Sequence, residues 1–182
     1  SNILSLLYDK DGRITLEGFY DDVPELSNEQ KEQWESLNFD AKEFLSNVGL
    51  SNIIGEKDYS PLEKIWSRPT CEVNGIWGGY TEPGFKTVLP SEASAKVSFR
   101  LVGKQDPDKV LKSFRNHVSK NLPSDCKVEF LAKAGSGASS LEINSPEVKA
   151  AEKALHDEWN VSPKMVGCGG SIPIGDHFKS IL

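Results

Sequence analysis

The sequence has no closely spaced pair of cysteines, and its three cysteines lie far apart along 182 residues. Structural zinc sites take cysteines or histidines at short spacings, so the spacing of these cysteines predicts buried free thiols. The three histidines, His117, His156 and His177, also lack the four-residue spacing of a helical zinc site. We therefore expect no metal ligand within this sequence.

Long apolar runs and an excess of positive charge are missing as well. No stretch approaches the roughly 20 apolar residues that a membrane span needs, and the first ten residues lack the pattern of a signal peptide. Lysine and arginine number 21 against 27 aspartate and glutamate, a net charge of -6, which argues against nonspecific binding of phosphate backbones. We expect a soluble, cytoplasmic protein that binds neither nucleic acid nor membranes.

Helix starts are well marked, because side chains that can accept from free backbone amides precede several apolar stripes. Three of these starts also place proline in the first helical turn. The predicted caps are Ser27 for a helix through Trp34, Asp40 for one through Val48, and Ser60, Asp106 and Ser145 before the three prolines.

Alternating apolar residues predict three strands, at 70–77, 92–102 and 126–130. In the first, Cys71 and Trp77 are predicted to share one face, and in the second Arg100 lies on the polar face. A helix from 107 separates the second and third strands. The order predicts an α+β fold, a ferredoxin-like two-layer sandwich with an antiparallel sheet and helices on one face.

Small residues at 135–140 have the composition of a joint between domains. We therefore expect one domain over 1–134, with a helical insertion at about 11–68, and the incomplete start of an α/β domain over 135–182. The absence of an initial methionine predicts that the sequence is a piece of a longer protein.

Two places suit the binding of a carboxylate. Arg100 offers a fork of N–H donors, and Thr87, in the loop before its strand, offers a hydroxyl. A helix start near Pro173 would leave amides around Gly170 and Ser171 free to face an anion. An ordinary surface arginine and an ordinary glycine turn remain open as alternatives.

Several segments in order then resemble the dinuclear-zinc metallopeptidases of the carnosinase and cytosolic non-specific dipeptidase family, most closely its bacterial dipeptidase branch. The segments are 12–23 (GRITLEGFYDDV), 67–80 (SRPTCEVNGIWGGY), 86–90 (KTVLP), 98–102 (SFRLV) and 169–174 (GGSIPI). The resemblance covers nearly the whole sequence.

The resemblance implies a lid or dimerisation domain over 1–134, followed by the return into a catalytic domain that holds two zinc ions. It implies that the zinc ligands and the general base lie outside residues 1–182, so that this piece has no catalytic residue, holds no zinc and is inactive alone. It also implies a homodimer formed through the lid and a small peptide as substrate. Thr87 matches a residue that approaches the partner subunit's substrate, Arg100 matches the arginine that grips the substrate carboxylate, and Gly170 and Ser171 match a contact with the substrate's C-terminal end.

Two other hypotheses remain open. The chain alone could be a non-catalytic module for dimerisation or ligand binding, or a ferredoxin-like sensor of small ligands. The first is compatible with its being part of an enzyme.

Overall fold

The computed structural model describes residues 1–131, 135–170, 174, 175, 178 and 181. Within these residues the elements are α1 (Asn2–Ser5), α2 (Asn28–Glu35), α3 (Ala41–Ser46), α4 (Pro61–Trp66), β1 (Thr70–Gly78), β2 (Ala93–Arg100), α5 (Pro107–Asn121) and α6 (Pro146–Trp159). This mixture of helices with an antiparallel pair of strands confirms the α+β class. The predicted helix after Pro173 falls largely outside the described residues.

The predicted helix starts are confirmed. Ser27 and Ser60 each accept from the backbone N–H three residues later, and the side chain of that later residue accepts from the backbone N–H of the cap, which forms a capping box. Asp40, Asp106 and Ser145 also accept from backbone amides of the first turn. The helix at Asp40 ends at Ser46, short of the predicted Val48.

The strands β1 and β2 form an antiparallel pair whose register places Thr70 opposite Arg100. An irregularity between Val73 and Gly75 leaves Asn74 as an extra residue, which is a β-bulge. Beyond the bulge the side-chain parity of β1 changes, so Trp77 pairs with Ser94 on the polar face. The prediction that Trp77 shares the face of Cys71 is therefore wrong, because strict alternation does not hold across a bulge.

The third predicted strand, at 126–130, is not formed among the described residues. A strand requires a neighbour for its backbone hydrogen bonds. In a ferredoxin-like sheet the last strand pairs with the first, and the part of the chain that the structure describes contains no such strand beside 126–130. The described sheet therefore has two strands rather than three.

The main core lies on one side of this sheet. Its buried residues are Leu7, Ile14, Leu16, Phe19, Cys71 and Val110. A row of aromatic contacts continues the core, with Phe99 between Phe19 (5.9 Å between ring centroids) and Phe114 (5.5 Å). The proposed insertion over 11–68 thus contributes its first residues to the main core.

Of the three cysteines predicted to be buried, Cys71 lies in this core, whereas Cys126 and Cys168 are exposed, so the prediction is wrong for these two. Cys71 is 3% exposed, and burial raises the pKa of its thiol to about 11. The hydroxyl of Tyr8 donates to the Cys71 carbonyl and fastens the segment after α1 to the start of β1. Cys71 therefore behaves as a packed apolar group rather than a nucleophile.

No helix among the described residues is long and apolar enough to cross a membrane.

Candidate carboxylate-binding site

Arg100 lies at the end of β2, on the sheet face opposite the main core. Its side chain is 56% exposed, and its Nε is 3.7 Å from Oε1 of Glu72. The Nη1 group donates to the carbonyl of Gly169 at 3.0 Å, across 69 residues of sequence. The structure therefore brings together two regions that the sequence pointed to separately, the strand with Arg100 and the Gly-rich segment.

The Gly-rich segment is fixed in place by helices α2 and α4. The indole N–H of Trp34 donates to the Met165 carbonyl at 2.8 Å, and the Met165 N–H donates to the side chain of Gln33 at 2.8 Å. These bonds hold the chain just before the glycines. The position of the Gly169 carbonyl thus depends on helices more than 100 residues earlier in the sequence.

Gly169 is required for this close packing. A Cβ at Gly169 would lie 2.5 Å from the carbonyl oxygen of Ile65, at the end of α4. Backbone oxygen cannot move away as a flexible side chain can, so any larger residue would push the segment off α4. The contact between Gly169 and Arg100 therefore depends on the absence of a side chain.

Glu72 is the second partner of Arg100 and was not predicted from the sequence. The hydroxyl of Thr70 donates to Oε1 of Glu72, and that of Ser98 donates to Oε2 at 3.5 Å. Alternation alone puts Glu72 on the polar face, but only the register of the two strands shows that it meets Arg100. The register cannot be deduced from alternation within a single strand.

Thr87 lies on an exposed loop over residues 79–92 that joins the two strands. The Val88 N–H donates to the Lys86 carbonyl at 2.8 Å, which makes Thr87 the centre of a tight three-residue turn. At the base of the loop, a Cβ on Gly78 would lie 2.9 Å from the Glu92 carbonyl oxygen, so the strands close tightly there. Among the described residues, no hydrogen bond joins Thr87 to Arg100, whose Nη1 donates to Gly169.

The other predicted residues are less fully described. Gly170 is exposed and follows Gly169 directly, whereas Ser171 lies outside the described residues. No group of three or more His, Cys, Asp or Glu within the described ranges could hold a metal ion. What the arrangement offers chemically is a partly exposed guanidinium, held on two sides, beside a glycine turn.

Residues 2–126 match the family model described as the peptidase dimerisation domain of the M20 family. The chain belongs to this family. This match and the relatives below confirm the predicted resemblance to the metallopeptidase family of carnosinase, and the matched range includes both strands and the loop between them.

Named relatives of the M20 chain are dipeptidases. It is 29% identical over 182 residues to Beta-Ala-His dipeptidase of Rattus norvegicus, covering 98% of this chain and 37% of that protein. It is 31% identical over 185 residues to the Cys-Gly metallodipeptidase DUG1 of Candida albicans, covering 99% of this chain and 38% of that protein. The M20 chain therefore spans less than two fifths of these relatives.

Solved structures also match this chain to a part of longer peptidases. The M20 family metallo-carboxypeptidase Sso-CP2 from Sulfolobus solfataricus superposes with a TM-score of 0.79 at 33% identity, covering 98% of this chain and 40% of that one. Human carnosine dipeptidase 1 superposes with a TM-score of 0.72 at 27% identity, covering 98% and 39%. The fold of the M20 chain is thus that of a part of these metallopeptidases.

Proposed function

We propose that this M20 chain is part of a zinc-dependent dipeptidase that hydrolyses small peptides, in which it provides dimerisation and recognition of the substrate carboxylate. The observation that carries the proposal is the junction of Arg100 with the Gly169 carbonyl. It places a guanidinium, which suits a carboxylate, beside the Gly-rich segment. The sequence predicts that the amides which follow Gly169 in this segment begin a helix, and such amides would also suit an anion. The dipeptidase names of the relatives support the same activity.

In this proposal Arg100 binds the substrate's C-terminal carboxylate and so fixes the register of the scissile amide bond. Gly170 and Ser171 contact the same end of the substrate. Thr87, on its exposed loop, reaches the active site of the partner subunit in a homodimer. The match of residues 2–126 to a dimerisation domain supports this assembly.

The proposal includes two zinc ions in the full-length enzyme, which would activate the water that attacks the amide. The described residues do not fit a zinc site, because they contain no sufficient cluster of His, Cys, Asp or Glu. What these residues contribute is therefore binding and orientation of the substrate. We also propose a cytoplasmic location, which the unpaired thiols of Cys71, Cys126 and Cys168 support.

The test is the Arg100→Ala variant of the full-length protein, assayed with Ala-Gly and with its C-terminal amide. A hydrogen bond between charged groups contributes about 1.5 to 3 kcal/mol. The KM for Ala-Gly should therefore rise roughly 10- to 100-fold, while hydrolysis of the amide should change little. Lys96→Ala, which removes another exposed cation from the same strand, serves as the control.

An unchanged KM for Ala-Gly in Arg100→Ala would remove Arg100 from the substrate site. The alternative function is a non-catalytic module for dimerisation or ligand binding, which the match to a dimerisation domain favours. Hydrolysis of dipeptides by the full-length wild-type protein tests the first function. Hydrolysis by residues 1–182 alone would exclude the second, because a non-catalytic module gives none.

A further inference from the structure

Two groups hold the guanidinium of Arg100, and they act on different nitrogen atoms. Gly169 accepts from Nη1 at 3.0 Å, and Glu72 lies 3.7 Å from Nε. With only one of these contacts, the guanidinium could rotate about it. Together they restrict the direction in which the remaining N–H groups point.

Glu72 is itself restrained on the same sheet face. Thr70 donates to one of its carboxylate oxygens and Ser98 donates to the other. The strand register explains this grouping, because Thr70 is opposite Arg100 and Glu72 is opposite Ser98. Because both of its oxygens accept hydrogen bonds, the Glu72 carboxylate has a more restricted position beside Arg100 than a free surface side chain would have.

The end of the guanidinium remains available. The Nη2 group has no hydrogen-bond partner within the described part of the chain, and Nη1 carries a second N–H besides the one given to Gly169. These two nitrogens can bind a carboxylate through two parallel hydrogen bonds. We propose that Glu72 is a positioning residue, which orients Arg100 so that this end faces the substrate carboxylate; this rests on the proposed function of Arg100.

Glu72 could also act in the opposite sense, through its charge. Its carboxylate partly neutralises Arg100 and would repel a bound anion, so its removal would then strengthen substrate binding. Positioning predicts weaker binding when Glu72 is removed. The two effects have opposite signs, so a single set of variants separates them.

The experiment compares Glu72→Ala and Glu72→Gln in the full-length enzyme, with kcat and KM measured for Ala-Gly and its C-terminal amide. Glutamine keeps the length of the side chain and an oxygen beside Nε but removes the charge of the ion pair, whereas alanine keeps neither the length nor the charge. Glu72→Ala should raise the KM for Ala-Gly about 2- to 5-fold, the effect of a partly exposed ion pair, with kcat changed less than about twofold. Glu72→Gln, which keeps the side chain's length, should raise the KM for Ala-Gly less than Glu72→Ala does, and the KM for the amide should not respond in either variant.

A double variant links the effect to Arg100. In the Arg100→Ala background, Glu72→Ala should produce no further rise in KM, because the group that it orients is gone. If Glu72→Ala does not fold, Glu72→Thr, which suits a strand, makes the same comparison.

An unchanged or lowered KM for Ala-Gly in Glu72→Ala would overturn the inference. A further rise in the double variant would also overturn it, since Glu72 would then act independently of Arg100. If Arg100→Ala alone leaves the KM unchanged, the carboxylate role in the proposed function fails. A rise in Arg100→Ala with no rise in Glu72→Ala refutes only the positioning role.

Discussion

The guanidinium of Arg68 is buried beside two carboxylates, just before β1 begins. It makes two hydrogen bonds to Glu56, at 2.7 and 3.0 Å, and a third at 3.2 Å to Glu25. The ring of Tyr59 stacks against it at 3.9 Å. Burial alone would lower the pKa of Arg68, but Glu56 raises it and the net direction is upward. Arg68 thus remains charged and ties residues near 25 and 56 to the sheet.

We predict that Glu56→Gln destabilises the fold by up to about 3 to 5 kcal/mol, because it leaves only the exposed carboxylate of Glu25 to balance the buried charge of Arg68. Both side chains are only 5 to 6% exposed, so water cannot replace the lost partner. The measurement is the free energy of unfolding in urea. The control is Asp157→Asn, which breaks the exposed pair with Lys153 and should cost less than about 1 kcal/mol. Equal effects of the two variants would contradict the prediction.

At the scale of the elements, the helices could be predicted because their start signals are local. Ser60 and Glu63 cap the same helix from three residues apart, which a single sequence displays. The bulge at Asn74 could not be predicted, since it exists only in relation to β2. The site divides in the same way: Arg100 was evident from alternation, but its partners depend on strand register and on a contact across 69 residues.

Helices α3 and α5 both have an aspartate cap, but only α5 contributes buried residues to the protein interior. We predict that loss of the cap therefore lowers global stability more for α5 than for α3. Asp106→Ala should lower the free energy of unfolding by about 1 kcal/mol, because α5 carries the buried Val110 and Val118. Asp40→Ala removes a cap of the same kind from α3, which has no buried residue, and should change global stability by less than half as much. Urea unfolding of the two variants checks the difference. A larger loss from Asp40→Ala would show that α3 is coupled to the core.

The whole molecule exposes far more surface than a typical monomer. Its accessible area is 14005 Å² for 20.1 kDa, whereas a compact monomer of that mass exposes about 8,700 Å². Some of the excess is apolar, and in the loop that carries Thr87 the side chains of Phe85 and Leu89 are 105% and 93% exposed. Exposed apolar side chains on this loop suit the contact with a second subunit in the proposed homodimer.

Substitutions in the loop that carries Thr87 test the proposed homodimer. Phe85→Ser combined with Leu89→Ser should raise the dissociation constant of the homodimer at least about 10-fold, because burial of a large apolar side chain contributes about 1.5 to 3 kcal/mol. The monomer fold should be unaffected, since neither side chain is packed within the chain. Sedimentation equilibrium of the full-length protein measures the constant. Ile54→Ser is the matched control, because Ile54 is 85% exposed but lies outside the loop; if it weakens the dimer as much as the loop variant does, the loop has no particular part in the interface.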